Sequence, residues 1–172
     1  MRVLSILILM IGFSSCISPA DKALEQLKSE ERAFYAIARD TVTTKESAKA
    51  ILASYENYLN AFPNAPESEE IMLRYANVYE GTGQYFMALG VYDRFEKIYP
   101  KSTKRAFVLF KKGFVCEQAF NKSGFDKHKL FALDFYNQFV KAYPNSKQLT
   151  AVKYSIKELN DTESKIKKHE LH

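Results

Sequence analysis

The sequence predicts an all-α protein, a solenoid of about three helix hairpins closed by a C-terminal capping helix. Three observations carry that expectation. One pattern occurs three times, as Tyr55, Tyr58, Phe62 and Pro63, as Tyr92, Phe95, Tyr99 and Pro100, and as Tyr136, Phe139, Tyr143 and Pro144. Aromatics three and then four residues apart share one face of a helix, and the proline stops that helix by removing a donor and clashing with the preceding turn. The pattern is also periodic: 37 residues separate Pro63 from Pro100 and 44 separate Pro100 from Pro144, each a unit of about 34 residues plus an insertion. Finally, the chain has 172 residues, 47% of them apolar, with only 6 Gly and 5 Pro. That is enough to bury a core without staples, so the 2 Cys are not needed as a disulfide framework.

The amino terminus reads as a targeting segment over residues 1–15. Arg2 supplies a short positive start, and Val3 to Phe13 is an apolar run of 11 residues followed by Ser14 and Ser15. At about 1.5 Å per residue such a helix covers roughly half of a ~30 Å hydrocarbon core, too little for a permanent span. The run ends Ser14-Ser15-Cys16, which resembles the lipobox of bacterial lipoproteins. That resemblance implies a diacylglycerol on the Cys16 sulfur, an acylated amino group, and a membrane attachment made by the acyl chains. More than one chain is needed, because each buried CH₂ contributes only about 0.8 kcal/mol. An ordinary secretory peptide is the alternative. Residues 16–21 then form a lipid-anchored linker. They lack an Asp directly after the cysteine and a run of acidic residues, so the expected location is the outer membrane, on its periplasmic face.

Residues 22–168 form the helical domain. Apolar residues at helical spacing predict helices near 21–39, 45–61, 67–80, 84–98, 103–120, 127–142 and 147–168. The first hairpin turns near Asp40 to Thr44, with Asp40 as a cap and Ala50 and Ala53 flanking its small position. The second turns at Gly81-Thr82-Gly83. The third turns over 121–127, a connection enlarged by about seven residues. Asn64, Ser102, Asn145 and Ser146 follow the prolines and offer side-chain oxygens to start the next helices. The last helix carries Leu149, Val152, Ile156 and Leu159 on one face and lysines on the other, as a solenoid's polar cap requires. Residues 169–172 are a polar tail.

The middle unit shows the fullest pattern: small Ala76 where a neighbouring helix must come close, Tyr79 one turn on, then Ala88, Tyr92 and Pro100. The third repeats it with Gly113, Cys116, Ala132, Tyr136 and Pro144. Over residues 22–145 this arrangement resembles tetratricopeptide (TPR) repeats, and with the lipobox it looks most like the BamD-type outer-membrane assembly lipoproteins. The resemblance implies a TPR-like α-solenoid acting as a non-enzymatic, lipid-anchored adaptor of the cell envelope. It implies envelope proteins or extended peptides as partners, held along a concave wall built by the first helix of each hairpin. Mapped on this chain, the wall carries Glu70, Leu73, Asn77, Glu80, Phe107, Phe110, Phe114 and Glu117. A TPR coordinator of the Tol-Pal system is a second reading in the same class. A solute-binding or hydrolytic envelope lipoprotein, which would need convergent polar groups in an enclosed pocket, is a rival from another.

Little in the chain suggests other chemistry. The net charge of +5 is scattered over 25 basic and 20 acidic residues, without the clusters that nucleic-acid binding uses. His169-Glu170-Leu171-His172 is not a zinc motif, since its second His falls three residues on where four are needed. No metal, cofactor or small-molecule substrate is expected. His128 sits in the enlarged connection, Cys116 reads as a small buried hydrophobe, and Glu67, Glu69 and Glu70 suit the positive end of a helix dipole. Asn121 and Asn160 match the N-glycosylation pattern, and Asp40-Thr41-Val42 resembles a short bacterial O-glycosylation motif.

Overall fold

A computed structural model describes residues 17–40 and 44–169. The leader, Cys16, Thr41, Val42 and residues 170–172 lie outside the described residues. Among the described residues seven helices follow in order: α1 (Pro19–Asp40), α2 (Lys49–Ala61), α3 (Ser68–Gly81), α4 (Tyr85–Ile98), α5 (Arg105–Ser123), α6 (Asp126–Ala142) and α7 (Leu149–His169). No strand occurs among the described residues. Each helix packs mainly on the one before and the one after it, the arrangement of a TPR-like α-solenoid with hairpins α1–α2, α3–α4 and α5–α6 and α7 as the closing helix.

The starts and stops have local causes. Ser18 Oγ accepts the Asp21 N–H at 3.1 Å and Asp21 Oδ2 accepts the Ser18 N–H at 3.3 Å. This reciprocal cap, with Pro19 in the first turn, begins α1 two residues earlier than the sequence predicts and shortens the linker. Thr44 and Ser47 exchange the same pair of bonds, Ser47 N–H to Thr44 Oγ1 at 3.1 Å and Thr44 N–H to Ser47 Oγ at 2.9 Å. Thr44 therefore caps the approach to α2, and Asp40, whose side chain lies outside the described ones, is the last residue of α1. The second helices stop alike, on Phe62, Tyr99 and Tyr143, with φ of −133, −117 and −133° and ψ of 57, 58 and 57°. Each of these residues precedes a proline, whose ring disfavours the helical conformation there. Ser102 and Ser146 accept the N–H groups of Lys104 and Gln148 in the turns that follow. In the first such turn the bond is of the other sense: the Ser68 hydroxyl donates to the Phe62 carbonyl at 2.5 Å.

One expectation is corrected. The third unit's extra residues do not enlarge its connection. α5 has 19 residues and α6 has 17, against 14 each in α3 and α4. The chain turns over Gly124 and Phe125 alone, with Gly124 at φ 71° closing α5 in the left-handed conformation. His128 accordingly sits in the first turn of α6. Ala50 and Ala53 are also misplaced as flanks of a small position: both are exposed. In the register of Ala88 stands Ile51, which is buried.

The core runs without a break from Leu24 to Leu159. Tyr55, Tyr92 and Tyr136 are fully buried, as are Ala76, Ala88 and Ala132. Gly113 explains its own identity: a Cβ there would lie 2.5 Å from the Cδ1 and Cε1 ring atoms of Tyr136. Pro100 and Pro144 are exposed beyond the helix ends, and Tyr79 is buried.

Candidate partner-binding surface

α5 repeats α3 at an offset of 37 residues, so each predicted wall position can be followed through two turns of the array. The positions divide. Glu70 and Asn77 are exposed, and their counterparts Phe107 and Phe114 are half-buried. Leu73 is instead a core residue, 6% exposed, and its counterpart Phe110 leans on α6, with ring centroids 6.4 Å from Tyr136 and 6.3 Å from Phe139. Helical geometry accounts for this, since the same stripe that reaches the wall also reaches the partner helix of the hairpin.

Glu80 and Glu117 turn inward as well. The Tyr92 hydroxyl donates to Glu80, and the Tyr136 hydroxyl donates to Glu117 Oε2 at 2.5 Å. In the first hairpin Tyr55 donates to Glu31 Oε1 at 2.7 Å. Every hairpin thus satisfies its buried tyrosine with a glutamate on its first helix. Burial, with the carboxylate close by, raises the hydroxyls of all three tyrosines far above their ordinary value of 10.0. The next first helix then reaches back to the carboxylate: Arg74 Nη1 lies 2.8 Å from Glu31 Oε2, and Lys111 Nζ lies 2.5 Å from Glu80 Oε2. Sequence reasoning took these tyrosines for packing alone. The available signal was that the position is Tyr three times and never Phe.

Other charges on the two sides are also committed. Lys104 Nζ meets Glu70 Oε2 at 2.7 Å, and that hydrogen bond holds the Glu70 carboxyl below its ordinary value. Glu69 accepts the Ser102 hydroxyl at 2.9 Å. These first-turn glutamates therefore tie one hairpin to the next, beyond their service to the helix dipole. Lys112 is 7% exposed between Asp93 and Glu96, at 2.8 and 2.7 Å, with Nζ 4.6 Å above the Phe135 ring. Burial disfavours its charge, but the hydrogen bonds it donates to Asp93 and Glu96, with their negative charge, outweigh that and its pKa is raised.

Reactive groups do not converge. Burial pushes the Cys116 thiol up to about 11, so it stays protonated and inert at neutral pH. Ser123 Oγ lies 2.8 Å from His128 Nδ1, but the serine hydroxyl also points at the Ala119 carbonyl, 2.7 Å away. It is a helix-end hydrogen bond that orients the ring. Among the described residues no group of three His, Cys, Asp or Glu is placed to hold a metal.

A family model described as YfiO, outer membrane lipoprotein, matches residues 27–172. The chain belongs to the YfiO family. No curated protein matches it. As a YfiO-family outer membrane lipoprotein it takes its attachment from lipid, and among the described residues no helix is long and apolar enough to cross a membrane. Of the predicted wall positions, Asn77 is exposed, while Phe107 and Phe114 pack against the core on one side and remain half-exposed on the other. Lys111 Nζ stands 4.8 Å from the Phe114 ring centroid.

Proposed function

We propose that this lipoprotein is a non-enzymatic adaptor, held at the periplasmic face of the outer membrane by acyl chains on Cys16, that grips an extended segment of another envelope protein along its inner wall during outer-membrane protein assembly. The observation that carries the reading is the contrast on that wall. Glu31, Arg74, Glu80 and Lys111 are paired with each other, whereas Asn77 is exposed and Phe107 and Phe114 are half-buried on successive first helices. An exposed amide and two half-exposed aromatic side chains on successive first helices suit a peptide backbone and its apolar side chains. The family supports the membrane and the lipid anchor.

The test is photo-crosslinking in cells. A photoreactive residue at Asn77 or Phe114 should give adducts with envelope proteins, identified by mass spectrometry, while one at exposed Lys97 on α4 should not. Adducts from Lys97 alone would place the partner on the outer wall and overturn the reading. The anchor is tested separately: Cys16→Ala should leave the membrane fraction, and its retention at high salt would refute acyl attachment.

A further inference from the structure

The hairpins are not equally tall. α3 ends one residue past Glu80, whereas α5 continues six past Glu117 and α1 nine past Glu31. The turn of the middle hairpin therefore lies in a notch between its two neighbours. An open cleft of about 510 Å³ fills that notch, walled by Phe86 and Met87 of α4 and by Ser123 and His128 of the third hairpin, with Lys45 and Lys122 across its mouth.

Its chemistry is a combination of exposed apolar side chains and lysines. Two of the lining side chains are large, apolar and in solvent, Phe86 50% exposed and Met87 54%, and beside the cleft Phe125, next to His128, is 66% exposed. Their rings form a strip, with His128 4.8 Å from Phe86 and 5.7 Å from Phe125. No carboxylate lines the cleft, and neither Lys45 nor Lys122 makes an ion pair among the described residues. Lys122 is also held in place, its Nζ 5.8 Å from the Tyr85 ring centroid and 3.0 Å from where a Cβ on Gly83 would be. Gly83 leaves room for the ammonium group.

We propose that this cleft docks an acidic, aromatic segment of a partner protein, with a carboxylate between Lys45 and Lys122 and the neighbouring apolar side chain on Phe86, Met87 and Phe125. Charge complementarity selects the acid, and the exposed strip selects the large apolar neighbour. The position argues against the bilayer as occupant. α1 begins at the edge where α2 and α4 end, so the chain runs back toward its lipid from that side. The cleft lies at the opposite edge, about 20 Å away along a helix of α4's length. This inference does not depend on the inner wall's being a binding surface.

The experiment uses the full lipidated chain in detergent and a fluorescein-labelled hexapeptide of alternating Asp and Phe, with a Lys–Phe hexapeptide as control, read by fluorescence anisotropy. The acidic peptide should bind and the basic one should not. Lys45→Glu with Lys122→Glu should weaken binding by about tenfold or more, as loss of two charge-assisted contacts requires, and Phe86→Ser should weaken it with unchanged helicity. Asn77 and Phe114 variants should leave it unaltered, which separates this cleft from the inner wall. Failure of the acidic peptide to bind, or equal binding by the charge-reversed variant, would overturn the proposal. So would its displacement by dihexanoyl phosphatidylglycerol with the same lysine dependence, which would make the cleft a lipid site.

Discussion

A methyl group added at Gly113 meets the ring of Tyr136, which is fully buried and tethered through its hydroxyl to Glu117. Alanine gains about 1 kcal/mol over glycine in a helix interior, but overpacking of this kind costs about 1–3 kcal/mol, and here the ring has nowhere to go. Gly113→Ala should therefore destabilise the domain, lowering its urea midpoint. Gly90, exposed in α4 with nothing within 4 Å of a built Cβ, should give the opposite sign, a gain of about 0.5–1 kcal/mol on Gly90→Ala. Glu80→Ala strands both the Tyr92 hydroxyl and the Lys111 ammonium, at about 2 kcal/mol for unsatisfied buried partners. Adding Tyr92→Phe should recover part of that, so a double-mutant cycle on urea midpoints should give a clear coupling energy, and strict additivity would show that the bond contributes nothing.

At the level of the helix, starts were less legible than stops. The stops follow from the residue before a proline, and Pro63, Pro100 and Pro144 are visible in any reading of the chain. The caps at Ser18–Asp21 and Thr44–Ser47 depend on two side chains reaching back to each other's N–H groups, a pattern that many Ser and Thr positions could satisfy. Thr44→Ala should cost about 1 kcal/mol, and hydrogen exchange should show lost protection over the first turn of α2, with α4 unaffected. Likewise the seven extra residues of the third unit were visible as a spacing. Whether they form a loop or extend two helices is decided by Gly124, whose left-handed φ lets α5 run on to Ser123 before turning.

Across the whole molecule, the fold was written in aromatic spacing, but half of the wall was not, because one stripe of α3 or α5 serves both the hairpin's interior and its open side. Leu73, Phe110, Glu80 and Glu117 could be sorted only by where the second helix lies. The unbroken core predicts one cooperative transition, and its buried acids predict when alkali causes it. Cys116 titrates near 9.0 ordinarily and about 11 here, and Tyr55, Tyr92 and Tyr136 lie above their ordinary 10.0. The folded state keeps these protons longer than the unfolded one. Stability is therefore full below about pH 9 and falls as the pH rises through 11. Loss of helical circular dichroism should coincide with the rise of tyrosinate absorbance; tyrosinate forming while the helices persist would contradict the burial of these hydroxyls. The cross-links between hairpins carry a mechanical meaning. First helices are stitched by Glu31–Arg74 and Glu80–Lys111, and second helices by Glu56–Arg94 at 2.9 Å. The third hairpin is held to the second by Lys112 as well, which reaches Asp93 and Glu96 on α4, so a load taken at the last hairpin reaches the first as it would through a rigid bracket. Small-angle scattering profiles at low and moderate salt should superimpose, and an increase in radius of gyration with salt would reveal a spring instead.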